Sequence, residues 1–430
     1  MTSVREAEAD RALMSRIMWR IMPLLVACMI VSTIEKSNVG YAKLGLIEDL
    51  GFTEAVVGFG ASLFFVGYVL LEIPSAMANY RYGARLWFAR IMVTWAITTL
   101  LLVFVRSAEM FYLLRFLLGA AEAGLYPSLI FYLTLWFPEN ERARAMGYLT
   151  LGSAFGNSLS AMISGSLLDF GGAFELAGWQ WVFIVTGLLP LITTVFVLLY
   201  LPSNANEAKF LQPHEKERVN QLIAANAAKQ HHGGVLALLV HPVVIGFGVL
   251  YAVLLGALYG VNYWMPTVIN EFGVSGSMNG VIISAPWAFD ALLLVWLMPK
   301  LRSPRTVVWG LVAFSVIGVL SFGAAATTGG LALKAAAVML GIPAISLSVA
   351  CFWTIPVKYF SGAQSAAAIG AISMIGNMGG VATLNLMPAI ATGFGSPQVA
   401  LWVPGVGMGL IAIWGIFMVG KMRPANVAVG

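Results

Sequence analysis

Charge is what this chain has least of. Lysine, arginine, aspartate and glutamate together make up 10% of its 430 residues, against roughly a quarter in ordinary soluble domains. With 60% of the residues hydrophobic, a soluble enzyme is excluded. Cysteine is nearly absent: Cys28 and Cys351 each sit in an apolar run, so no disulfide framework is implied. The histidines, His214, His231, His232 and His241, crowd around one polar stretch and lack metal-ligand spacing. No Gly-x-x-x-x-Gly-Lys-Ser/Thr loop occurs, which argues against a nucleotide-driven pump. The opening residues, MTSVREAEADRALMSR, mix acids and bases and lack the apolar region and cleavage site of a signal peptide, so the N-terminus is expected to be retained.

What the chain has in quantity is apolar runs of membrane-spanning length. Windows of about 19 residues predict twelve of them, at about 18–43, 53–79, 86–105, 109–137, 143–169, 179–201, 237–269, 276–299, 305–325, 331–357, 363–393 and 397–420. One long polar stretch, Pro202 to Gly234, divides six from six. The expected organisation is an all-α polytopic membrane protein: a six-helix bundle over 1–201, a linker over 202–235 and a second six-helix bundle over 236–430. The bases take sides. Lys43, Arg106 and Lys334 are the whole set on odd-to-even turns, while Arg5, Arg11, Arg16, Arg20, Arg81, Arg85, Arg90, Arg142, Arg144, the linker bases, Lys300, Arg302, Arg305, Lys358, Lys421 and Arg423 fall on the other side. The positive-inside rule then makes both termini and the linker cytoplasmic. The net charge of +5 is thereby a topological signal, not a nucleic-acid footprint.

Two bases and four acids remain inside the apolar runs: Lys36 and Arg115, with Glu35, Glu72, Glu122 and Asp290. Arg115 and Glu122 are seven residues apart in LLRFLLGAAEAGLYPSL. On a helix that spacing puts them on one face, about 10 Å apart along the axis. Each ionised group at mid-bilayer costs about 2.5–3.5 kcal/mol on insertion scales, so a functional site is the default reading. The halves repeat a pattern of shape: Leu118-Gly119 running to Trp136-Phe137-Pro138 is echoed by Leu340-Gly341 running to Tyr359-Phe360-Ser361, each followed by a glycine-rich span. Parallel repeats of this kind suggest a substrate site near the midplane between halves. Chemistry is not repeated, since the second half offers Asn262, Asn377, Asn385, Ser346 and Ser348 beside Tyr259, Trp264, Trp287 and Trp353. The pairs Gly152/Gly156 and Gly376/Gly380 predict close helix packing.

Five stretches carry a family resemblance: RFLLGAAEAGLYPS followed by LWFPENERARAMG, GYVLLEIPSAMANYRYGAR, GWQWVFIVTGLLP and AISMIGNMGG. Over essentially the whole chain the sequence resembles the anion:cation symporter family of the major facilitator superfamily, which transports organic anions such as phthalate, tartrate, hydroxyphenylacetate or sugar acids. The resemblance implies twelve helices in two bundles, alternating access, proton- or sodium-driven uptake, no enzyme activity and no cofactor or metal. The implied partners are a small organic carboxylate, protons and the bilayer of a plasma (inner) membrane, with a monomer as the working unit and no nucleic acid. Three departures stand out. Glu35-Lys36 takes the place of the family's aspartate-arginine pair before x-Asn-x-Gly, and a lysine lacks the bidentate fork of an arginine. Tyr80 stands where the superfamily's cytoplasmic loop has an aspartate, and the matching loop in the second half is cut down to Pro299 through Arg305.

The residues then sort by role. Arg115 is expected to hold the substrate carboxylate, with Lys36 second; Asn38, Tyr68, Tyr126, Tyr259, Asn262, Trp353 and Asn377 are expected to line the site. Glu35 and Glu122 would neutralise the cations when the site is empty. An arriving carboxylate competes for those cations and leaves a glutamate unpaired in low dielectric, which favours proton uptake. Asp290, in ISAPWAFDALLLVWLMP, is a third coupling candidate, either protonated or hydrogen-bonded to backbone freed by Pro286. Glu72, Arg81, Arg85 and Arg142 are expected to form gate or structural contacts at the cytoplasmic end. The alternative function is proton-coupled export of drugs or metabolites on the same fold. GYLTLGSAFGNSLSAMISG lacks the proline signature that the antiporter subgroup carries in its fifth span, which counts against it.

Overall fold

The computed structural model describes residues 2–227, 241–301, 303–327, 329–356 and 363–421. All regular structure among them is helical, the form in which a chain surrounded by hydrocarbon satisfies its own backbone. The chain separates into two compact units, Met1–His231 and His232–Gly430. The first holds α1 (Thr2–Leu50), α2 (Glu54–Tyr82), α3 (Ala84–Leu102), α4 (Ala108–Glu122), α5 (Leu125–Thr134), α6 (Glu139–Leu168), α7 (Gly178–Tyr200) and α8 (Pro213–Ala227). The second holds α9 (Pro242–Asn270), α10 (Gly276–Leu297), α11 (Pro304–Thr327), α12 (Leu331–Trp353), α13 (Ala363–Phe394) and α14 (Trp402–Lys421). Residues 228–235 of the expected linker lie outside the described residues, as do His231, His232, Arg302, Lys358 and Arg423.

Eleven helical spans among the described residues, counting α4 and α5 together, are long and apolar enough to cross a membrane. The expected fifth span is α6, whose 30 residues suffice in length while its glycines and serines dilute its hydropathy. Two elements differ from the sequence expectation. First, α1 starts at Thr2 instead of near residue 18 and runs for 49 residues, because EAEADRALMSR is made of good helix formers that continue the apolar run without a break. Second, the fourth span is not one helix. It stops at Glu122, Ala123 turns out with ψ 134°, Gly124 adopts φ 85°, and α5 begins at Leu125. Pro127 is the cause, since it offers no N–H to the Ala123 carbonyl and its ring clashes with that group. Gly124 is the residue able to take the left-handed conformation at little cost.

In the first unit α1 packs on α6 and α7, α2 on α4, and α3 on α7. The α2–α4 contact is backbone on backbone: a Cβ at Gly119 would lie 1.8 Å from the Phe64 carbonyl oxygen. In the second unit α9 packs on α13 in the same way, with a Cβ at Gly379 falling 1.8 Å from the Ala252 carbonyl oxygen. Gly156 lets α6 approach Ile30 and Thr33 of α1, as the small-residue spacing predicts. At its N-terminal end α1 is clasped to α8. Arg218 donates from Nε and Nη2 to the two Asp10 oxygens at 2.8 and 2.7 Å, and Arg16 pairs with Glu215. The Gln212 amide and the Arg16 guanidinium together hold the Glu215 carboxyl below the usual range. The Arg20 guanidinium lies over the Phe210 ring, which stacks on Trp136.

A Gly119→Ala change must force α2 and α4 apart. We expect it to lower the thermal unfolding midpoint of the purified protein, a loss of about 1–3 kcal/mol. Gly147→Ala, at a helical position with nothing within 4 Å of the added carbon, should hold or raise the midpoint by up to about 1 kcal/mol.

Candidate functional site

The break after Glu122 decides where the site is. Because α4 ends there, Glu122 sits at the last turn of a half-helix, fully buried, with its carboxylate aimed at α1. Lys36 Nζ lies 2.5 Å from Glu122 Oε1. Ser32, one turn earlier on α1, donates to the same oxygen at 2.6 Å and accepts from Lys36 Nζ at 2.8 Å. The i, i+4 spacing of Ser32 and Lys36 is what lets both reach one carboxylate. Glu122 Oε2 is buried and makes no hydrogen bond. One oxygen of the acid therefore carries the whole interaction, and the other is idle.

The break also frees the Ala121 carbonyl, which in an unbroken helix would accept from Leu125. Arg90 of α3 takes it instead at 3.3 Å, with its guanidinium 4.2 Å from the centroid of the Trp87 ring. The corner that presents Glu122 is thus fastened to a neighbouring helix.

The rest of α1 spreads the polar groups to the other helices of the unit. Glu35 is 1% exposed and accepts from Thr99 Oγ1 on α3 at 3.0 Å; both Glu122 and Arg115 lie within electrostatic range of it. Ser37 donates to Asn157 Oδ1 on α6 at 2.7 Å, and Asn38 Nδ2 donates to Thr186 Oγ1 on α7 at 2.9 Å. On α2, Tyr68 presents its ring 5.3 Å from Lys36 Nζ. Glu72 follows one turn later, buried and within electrostatic range of Lys36.

The structure therefore brings Lys36, Glu122, Glu35, Arg115, Tyr68, Asn38 and Glu72 into one unit around the middle of α1. The two cations differ in exposure. Lys36, placed second, keeps 17% of its side chain exposed and is the ion partner of Glu122. Arg115, placed first, is 1% exposed and lies 5.2 Å from the centroid of the Phe64 ring. Glu72, expected beside the loop arginines, instead interacts with Lys36, while those arginines serve as backbone donors: Arg85 to the Leu198 carbonyl at the end of α7, Arg142 to the Phe137 carbonyl after α5. Arg81 lies over the Tyr82 ring. Tyr126 is half-buried in the first turn of α5, just past the break.

In the second unit Tyr259 donates to Asn377 Oδ1 at 3.3 Å, and Asn262 is half-buried three residues further along α9. Trp353 packs edge-on against Tyr251 at 4.8 Å, within an aromatic cluster completed by Phe352. Trp264 donates to the Pro397 carbonyl and Asn385 to its own helix at Val381. Asp290 is fully buried in α10, and neither oxygen makes a hydrogen bond, so the bond to backbone freed by Pro286 is not formed. No cluster of three metal-ligating side chains occurs among the described residues.

Ser32, Thr99, Asn157 and Thr186 escaped the sequence reading. Hydroxyls are common in membrane helices, so only Ser32, at four residues from Lys36, carried a signal. Arg90, counted as a loop base, turns out to serve the corner.

Replacing one member of the ion pair leaves the other charge buried and uncompensated. We expect Lys36→Met to lower stability by about 3 kcal/mol, read as the unfolding midpoint of the purified protein. Adding Glu122→Gln in the same chain should restore most of that loss, and a double-mutant coupling near zero would show that the two charges do not depend on each other.

The model of the Major Facilitator Superfamily matches residues 25–384. A protein of Agrobacterium vitis named for tartrate transport is 35% identical over 381 residues, covering 87% of each chain. The Quinolone resistance transporter of Acinetobacter baumannii is 31% identical, covering 86% of each chain. Among solved structures, the xylose transporter XylE of E. coli in a partially occluded inward-open conformation superposes with a TM-score of 0.74 at 13% identity, covering 95% of this chain and 100% of that one.

Proposed function

Because the chain belongs to the major facilitator superfamily, and is thus a multi-pass secondary transporter and not an enzyme, we propose that it imports a small organic carboxylate by proton symport across the plasma (inner) membrane. The observation that carries this reading is the Lys36–Glu122 pair, a buried acid that holds a partly exposed cation through one oxygen. A substrate carboxylate competes for Lys36 on equal chemical terms. Once it wins, Glu122 is left in a low-dielectric pocket with Ser32 alone, and the neutral acid becomes the favoured form. Substrate and proton then each promote the binding of the other, as linkage requires. Lys36 makes the first contact because it is the cation that can be reached, and Arg115, buried under Phe64, holds the anion as the site closes. Glu35 balances Arg115 when the site is empty. Tyr68 lies beside Lys36, and Tyr126 stands just past the break that presents Glu122, so both are placed to contact the remainder of a hydroxylated acid. A relative named for tartrate transport supports a hydroxy-dicarboxylate as the first substrate to try.

A second reading, export by proton antiport, is favoured by the relative named for quinolone resistance. Coupling by antiport would have substrate and proton compete instead of cooperate, and the same variant separates the two.

In proteoliposomes, Glu122→Gln should exchange L-tartrate across the membrane at a rate within a few-fold of wild type while accumulating it well below the wild-type level under an inward proton gradient. Intact pH-driven accumulation in that variant would remove Glu122 from coupling. Efflux, not uptake, driven by the inward gradient would establish the antiport reading.

A further inference from the structure

The first unit matches acids with bases, but the second contains an acid with nothing to answer it. Asp290 lies in α10 with 0% of its surface exposed, and both carboxylate oxygens are buried without a hydrogen bond. Ser346 on α12 approaches it without closing a bond of good geometry.

The charged and titratable groups on the elements packed against α10 can be named one by one. Helix α9 carries no lysine, arginine or acid between Pro242 and Asn270, only the phenols of Tyr251, Tyr259 and Tyr263; Glu271 caps its far end. On α12 the one base is Lys334 in the first turn, fully buried with its ammonium 5.2 Å from the centroid of the Phe272 ring. It is twelve residues from Ser346, which at helical rise is about 18 Å. The Cys351 thiol is the other titratable group of α12. The 3-10 turn after α10 carries Lys300, its ammonium over the Trp296 ring and about 15 Å along the chain axis from Asp290. Among the described residues, then, no cation is placed to stabilise an Asp290 carboxylate.

An ionised carboxylate in such a place has neither solvent nor partner, and a chain does not hold that arrangement. In the conformation described here Asp290 is therefore the neutral acid. A neutral acid kept for structure would donate its hydroxyl to some acceptor, and no such bond is made. What remains is the property that separates a carboxyl from an amide or an apolar side chain of the same size, which is that it can bind and release a proton when water reaches it.

We propose that Asp290 is a second proton carrier, housed in the second unit and separate from the Lys36–Glu122 exchange, so that each import cycle moves two protons. The carboxylate exists in the conformation open to the outside, binds a proton from external water, crosses as the neutral acid and returns that proton to water on the inner side. The stoichiometry rests on the import reading above; the reversible protonation of Asp290 does not.

Two measurements test it. Infrared acid-minus-alkaline difference spectra of substrate-free proteoliposomes should contain the carbonyl stretch of a buried protonated carboxyl, which Asp290→Asn removes and Asp290→Glu shifts. An unchanged difference spectrum in Asp290→Asn overturns the proposal, because the acid then never releases its proton. With membrane potential clamped at zero and one unit of inward pH gradient, each coupled proton contributes a factor of about ten. L-tartrate should accumulate about 100-fold in wild type and about 10-fold in Asp290→Asn. Equal accumulation in both overturns the two-proton cycle, as does accumulation that follows a sodium gradient and is lost in the variant, which would make Asp290 a sodium ligand. If L-tartrate is not accumulated by wild type under either gradient, the import reading fails while the infrared result still decides whether Asp290 titrates.

Discussion

The structure depends on one constraint: within its helices there is no water to complete a hydrogen bond or to screen a charge. Every departure from a plain apolar helix must be answered by another part of the protein. Pro127 breaks the fourth span, and Arg90 answers the freed Ala121 carbonyl. Lys36 enters the interior of α1, and Glu122 with Ser32 answers it. Glu35 draws on Thr99, and Asn38 on Thr186. The buried polar groups are therefore not added to a finished scaffold. They are among the contacts that hold the helices of the first unit in register.

Much of this was legible in the residues, and the reason is again the apolar setting. In a chain so poor in charge, six ionisable side chains within the spans stand out without any structure, and all of them but Asp290 come together around the middle of α1. The shape of the fourth span was harder to see. Gly124 and Pro127 were both visible in GAAEAGLYPSL, but hydropathy counts both as tolerable, and only their offset of three residues, glycine before the carbonyl that proline evicts, marks a corner. The ranking of Arg115 above Lys36 also came from chemistry alone. A guanidinium is the better carboxylate ligand, yet which cation can be reached depends on where Phe64 and Tyr68 lie, and one-dimensional spacing does not encode that. The start of α1 was missed because windows of hydropathy end where polarity begins, while helix propensity does not.

The two units solve the same problem with different means. The first concentrates charge on α1 and α4 and answers it with charge. The second answers polar groups with other neutral groups, as in Tyr259 with Asn377 and in the neighbouring hydroxyls of Ser315 and Ser348. Asp290 is the exception that a neutral half cannot answer.

One consequence of the length of α1 remains. The helix holds Asp10 of the α8 clasp and Lys36 of the ion pair on a single rod, and the rise from one to the other is about 39 Å. A tilt of ten degrees about the clasp would carry the lysine about 7 Å, well beyond the reach of one salt bridge. Pro23 lies between the two points and removes the N–H that would tie to the Trp19 carbonyl. A backbone hydrogen bond is missing at that turn, so α1 bends more easily there than at the turns on either side.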